Sequence, residues 1–106
     1  MLPKKRVVIT GLGVISPLGN DISSCWDNLL KGKSGIDYID RFDVTALSTK
    51  ISAQVRDFVP TDYLGRKDAR RMDRFVQFAC AAARQAAEDS KLEINQDNAD
   101  RVGVWI

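Results

Sequence analysis

From Met72 to Ala87 the apolar side chains recur at the i, i+3, i+4, i+7 spacing of an α-helix, and beyond Val76 nearly all of them are alanine. Met72, Phe75, Val76, Ala79, Ala82, Ala83 and Ala86 form the stripe, widened by Cys80 and Ala87. Arg70, Arg74, Gln77, Arg84 and Glu88 take the other face. An alanine face buries little area per residue, so it stabilises a helix only by letting another element approach the backbone closely. The pattern predicts a helix over 70–87, capped by Asp68 or Asp73 and packed deep against a sheet or a second helix.

Two runs rich in β-branched residues bracket the chain. Arg6–Thr10 reads as a buried strand, and Val102–Ile106, after Arg101, reads as a second. The second runs to the last residue without turn or cap, so the chain reads as truncated, with an isolated form expected to expose apolar surface. Between them, Asn20 or Asp21 caps a predicted helix reaching about Lys31, with Ile22, Cys25, Trp26, Leu29 and Leu30 on its apolar face. Gly32 stands where a positive φ ends such a helix. Ile36, Tyr38 and Ile39 alternate weakly, and Ile51, Ala53 and Val55 alternate with polar residues as a half-exposed strand does. Strands and helices in this order place the chain in the α/β class.

Several function classes drop out. Sixteen basic and fourteen acidic residues leave a net charge of only +2, too small to suggest nucleic acid by itself. There is no histidine, hence neither the usual general base near neutral pH nor the commonest metal ligand. Cys25 and Cys80 are far apart and set among apolar residues, which suits reduced, buried cysteines, and no metal set is expected. Neither a cleavable leader nor a membrane span is legible, so a cytoplasmic protein is expected.

The segment VVITGLGVISPLGN, Val7 to Asn20, asks for a choice. A dinucleotide fingerprint needs a third glycine where Ser16 and Pro17 stand, and its helix must begin at the glycines, whereas here it begins near Asp21. Gly32-Lys33-Ser34 follows a helix, and Asp27 stands where a phosphate loop needs glycine. Gly11 and Gly13 are therefore read as permitting a tight backbone turn under other elements.

RVVITGLGVISPLGN, Trp26-x-x-Leu29-Leu30-x-Gly32-x-Ser34-Gly35-Ile36, Arg66-Lys67-x-Ala69-Arg70-x-Met72-Asp73-Arg74-Phe75 and Arg101–Ile106 occur in order along the whole chain. Together they resemble the N-terminal region of the β-ketoacyl-[acyl-carrier-protein] synthases, the condensing enzymes that elongate fatty acids. The resemblance implies a thiolase-like fold of α-β-α-β-α layers, with residues 1–106 the N-terminal part of its first half. It implies a decarboxylative Claisen condensation of an acyl-enzyme with a malonyl group, both delivered by acyl carrier protein, in a homodimer without cofactor. The cysteine and two histidines of that reaction belong to later parts of such enzymes. Neither Ser24-Cys25-Trp26 nor Ala79-Cys80-Ala81 resembles the nucleophile motif, so no catalytic residue is expected here and this chain alone is expected to be inactive.

One feature of the resemblance does fall on this chain. Basic residues at the start of the long helix belong to the docking patch for the acidic carrier protein, and Lys67, Arg70 and Arg71 match those positions. The competing account of this run is a solvated helix start with local charge pairing. A polyketide-type ketosynthase, or a small basic module binding anions or nucleic acid, remains an alternative for the whole.

Overall fold

A computed structural model describes all of residues 1–106. In chain order it contains α1 (Ile22–Leu30), β1 (Ile36–Tyr38), β2 (Ile51–Ala53), α2 (Arg66–Ala69) and α3 (Arg74–Ser90), with 3₁₀ turns at Pro60–Asp62 and Ala99–Arg101. β1 and β2 pair antiparallel with Ile36 opposite Ala53 and Tyr38 opposite Ile51. The ladder extends one bond further, from the Ile39 amide to the Lys50 carbonyl at 2.9 Å.

Asp21 caps α1 as its spacing requires: the carboxylate accepts the Ser24 amide and hydroxyl, each at 2.8 Å. Those bonds, the amide first, hold the Asp21 carboxyl below its ordinary pKa. A depressed carboxylate stabilises the fold above its unfolded pKa, and the contribution disappears as pH falls through the folded value. Asp21→Ala is therefore expected to cost about 1 kcal/mol at neutral pH. That difference should close in acid, as read from denaturation midpoints at matched pH. Gly32 has φ +66°, past the end of α1, as expected.

α3 is the axis on which the rest is hung, and it is packed differently from the expected stripe. The one fully enclosed residue is Ala81, off that stripe. Beside it Phe58, also buried, meets Phe78 edge-on at 5.0 Å and Tyr63 stacked at 6.0 Å. The polar face is only partly solvated. Gln77 and Gln85 are half-buried and tie loops to the helix, and the Arg84 guanidinium donates to the Tyr63 carbonyl at 2.6 Å. Along the stripe, Ala82 and Ala86 lie directly beneath Gly13 and Gly11. Phe75, by contrast, is 72% exposed. The helix thus has neighbours on one side and an uncovered apolar groove of Phe75, Val76, Ala79, Cys80, Ala83, Val104 and Ile106 on another.

The two expected end strands are not formed. Val7, Val8 and Ile9 are 91, 70 and 81% exposed, and Val104, Trp105 and Ile106 are likewise open. A strand exists only as half of a hydrogen-bonded ladder, and neither run meets the backbone of another segment here. Both reach α3 nonetheless: Thr10 and Gly11 from one side, Gly103, Val104 and Trp105 from the other, flank Ala83, Ala86 and Ala87.

The molecule exposes 9180 Å² for 11.8 kDa, where a compact protein of that mass exposes about 5,900 Å². Its radius of gyration is 17.8 Å against about 13 Å for a compact chain of this length. The apolar surface expected from the sequence is thus present.

Candidate functional site

The basic run does not start one long helix. α2 makes a single turn, with the Ala69 amide on the Gly65 carbonyl at 2.9 Å and the Arg71 amide on that of Asp68 at 3.0 Å. The chain then bends through 70–73 and restarts at Arg74. Asp73 occupies the N-cap position with ψ 158°, but its side chain makes no capping bond. In a continuous helix, Arg66, Arg70 and Arg74 would stack three cations at i,i+4 spacing, a repulsion of a few tenths of a kcal/mol per pair that the bend relieves.

Gln77 fixes this bend. Its side-chain amide donates to the carbonyls of Ala69 at 2.8 Å and Met72 at 3.3 Å, fastening the end of α2 to the first turn of α3. The sequence put Gln77 on the face opposite the apolar stripe. Only the break in the helix, which exposes carbonyls with no amide four residues on, gives it this task.

Lys67, in α2, and Arg70 and Arg71, on the bend, are all exposed. None of the three makes an ion pair or a side-chain hydrogen bond. The ion pairs of the molecule are Arg56–Asp40 at 2.5 Å and Arg84–Glu88 at 2.8 Å, both elsewhere. Local charge pairing therefore does not account for these residues. Arg74, from the same run, is different: its guanidinium turns inward over Phe78 at 5.0 Å and Phe58 at 5.7 Å.

The glycine turn is no phosphate cradle. The Leu12 amide is taken by the Asp89 carboxylate at 2.9 Å and the Val14 amide by the Gln85 side-chain oxygen at 3.1 Å. Gln85 also donates to the Asn20 carbonyl at 2.6 Å and the Tyr63 hydroxyl at 3.2 Å, binding the turn, the start of α1 and the Pro60–Asp62 turn together. A β-carbon on Gly11 or Gly13 would collide with the Ala86 or Ala82 carbonyl oxygen, so both glycines are needed for close approach.

Cys25 and Cys80 are free and half-buried rather than fully enclosed. The Cys25 sulfur lies 3.4 Å from the Ser16 hydroxyl, and Cys80 lines the open groove of α3, where no covering residue reaches it. No helix is long and apolar enough to cross a membrane.

The family model of the β-ketoacyl synthase N-terminal domain matches residues 4–106, almost the entire chain. The chain belongs to the β-ketoacyl synthase family. It is 59% identical over 105 residues to the 3-oxoacyl-[acyl-carrier-protein] synthase 2 of Coxiella burnetii (strain RSA 493 / Nine Mile phase I), covering 99% of this chain and 25% of that one. It is 50% identical over 106 residues to the protein of the same name from Staphylococcus aureus (strain COL), covering 100% of this chain and 26% of the other. Among solved structures, the ishigamide ketosynthase/chain length factor superposes with a TM-score of 0.70 at 36% identity, over 81% of this chain and 21% of that one. The mixed helices and strands seen here are thus those of a ketosynthase, and the chain spans about a quarter of the length of the curated synthases it matches.

Proposed function

We propose that residues 1–106 form the N-terminal part of the first half of a layered thiolase-like synthase, and that this part contributes a docking surface for acyl carrier protein through Lys67, Arg70 and Arg71. The complete enzyme then elongates fatty acyl chains. A cysteine thiolate takes the acyl group, malonyl-carrier loses carbon dioxide, and the resulting carbanion attacks the acyl-enzyme. That chemistry calls for an activated thiolate and oxyanion donors. This chain, without histidine and with its cysteines at Ser16 and in an apolar groove, supplies neither. In this reading the complete enzyme is a cytoplasmic homodimer, as its resemblance implies.

The observation that carries the docking reading is three exposed cations, unpaired within the molecule, on α2 and on the bend after it that Gln77 fastens at two carbonyls. Such a surface attracts an acidic partner and sets its approach without taking part in bond making. The relatives at 50–59% identity are named 3-oxoacyl-[acyl-carrier-protein] synthase 2, against 36% identity to the ishigamide ketosynthase/chain length factor, which supports the fatty-acid reading over the polyketide one. A nucleic-acid module would alternate aromatics with these cations. The exposed Phe75 instead belongs to the apolar groove with Val76, Ala79 and Ile106.

Alanine at Lys67, Arg70 or Arg71 of the complete synthase should raise the carrier-protein Kd about two- to fivefold each, the weight of a rim charge. The KM for a small acyl thioester free of carrier protein should not change. Equal losses on both substrates would place these residues in the acyl site instead.

A further inference from the structure

Arg41, Arg56 and Arg74 line one cleft of about 260 Å³ together with Asp40, Gln54, Val55 and Asp57. Its charges are not balanced. Arg56 is committed to Asp40, and Asp57 lies close enough to Arg56 to favour its charged form. Three arginines against two carboxylates leave the lining one positive charge in excess. Arg41 has neither an ion pair nor a side-chain hydrogen bond. Arg74 has one terminal nitrogen 3.5 Å from the Val55 carbonyl, while its Nε is buried with no acceptor in reach. Arg74 is also the first residue of a 17-residue helix, at the positive end of its dipole. Burial, and secondarily the charge of Arg41, push the Arg74 guanidinium below its ordinary pKa.

We infer that this cleft is a binding site for a phosphate-class oxyanion, held between Arg41 and Arg74. A guanidinium presents a planar fork of donors that matches phosphate oxygens two at a time. A singly charged phosphate oxyanion between Arg41 and Arg74 balances the one positive charge the cleft has in excess. The stacking of Arg74 on Phe58 and Phe78 fixes that fork in advance, so little side-chain entropy is lost on binding. Nothing in this inference rests on the carrier-docking reading, whose three cations line no part of this cleft.

The test is the melting temperature of the complete synthase titrated with inorganic phosphate at constant ionic strength, with chloride and acetate as comparison anions and glycerol phosphate as a phosphomonoester. Phosphate should raise Tm saturably, and acetate and chloride should not match it. Tighter binding of the monoester than of free phosphate identifies a phosphorylated ligand, and equal or weaker binding identifies the free ion. Arg41→Ala, at an exposed side chain without partners, should weaken the phosphate affinity about tenfold. Arg41→Glu should raise Tm in the absence of phosphate, because it gives Arg74 a carboxylate, and should abolish the phosphate effect. A triple change of Lys67, Arg70 and Arg71 to Glu should leave the phosphate response intact. If phosphate acts no differently from chloride, or if the Arg41 variants respond as the unaltered protein does, the site does not exist.

Discussion

Gly13→Ala should destabilise the complete synthase by about 3 kcal/mol or more, the upper end of what overpacking costs. The reason is the identity of the obstacle. A β-carbon at Gly13 collides with the Ala82 carbonyl oxygen and comes within 2.9 Å of the Ala86 nitrogen, both backbone atoms of α3. Helix backbone cannot rotate aside as a side-chain end can. Moving the turn away instead breaks the Val14 amide's bond to Gln85, and with it the link from Gln85 to Asn20 and Tyr63. Gly103→Ala is the control, because nothing lies within 4 Å of the carbon it adds. Gly32→Ala meets no atom either, but its φ of +66° makes it cost about 1 kcal/mol on conformational grounds alone. Melting scans and soluble yields of the three variants should rank Gly13 well below Gly32, and Gly32 below Gly103. A Gly13→Ala protein that melts within a degree of the parent would show that the turn does not sit on α3 as described.

What the sequence made legible follows from how local each cause is. The Asp21 cap, α1, the positive φ of Gly32 and the weak alternation of β1 and β2 depend on neighbours in the chain, and all were readable. The glycine turn was readable as a close approach because its third position and its late helix excluded a phosphate loop. Two things were not. The runs Val7–Thr10 and Val102–Ile106 carry strand-forming residues, but a ladder is a property of two segments, and here each run lacks the other half. The break between α2 and α3 was hidden because the apolar period runs smoothly from Met72, while what fastens the break is the side chain of Gln77 on the Ala69 and Met72 carbonyls. Lys67, Arg70 and Arg71 were named from the resemblance alone, and the structure places all three at the surface. Gln77, which fastens the bend, gave no signal beyond a polar residue on a polar face.

Changing Lys67, Arg70 and Arg71 together to Glu should lower carrier-protein affinity of the complete synthase by one to two orders of magnitude at low salt. The change turns three positive charges into three negative ones on a surface that faces solvent, so attraction becomes repulsion over the whole approach path. Turnover of a carrier-free acyl thioester should stay within about twofold of the parent, and the melting temperature should hardly move, since none of the three side chains has a partner to lose. Gln77→Leu offers an independent check. It keeps every charge but frees the bend, and should weaken carrier binding severalfold with an unaltered dependence on salt.

The central claim is that this bend steers an acidic carrier protein, and the association rate constant measured by stopped flow across ionic strength tests it most directly. The parent synthase should bind carrier protein fast at low salt and slow steeply as salt rises. The triple Glu variant should start at least tenfold slower and show a flat or inverted dependence, the two curves converging near 1 M salt, where charges are screened beyond about 3 Å. Parallel curves, with the variant as salt-sensitive as the parent and no slower at low salt, would contradict the claim and leave Lys67, Arg70 and Arg71 as an ordinary solvated surface.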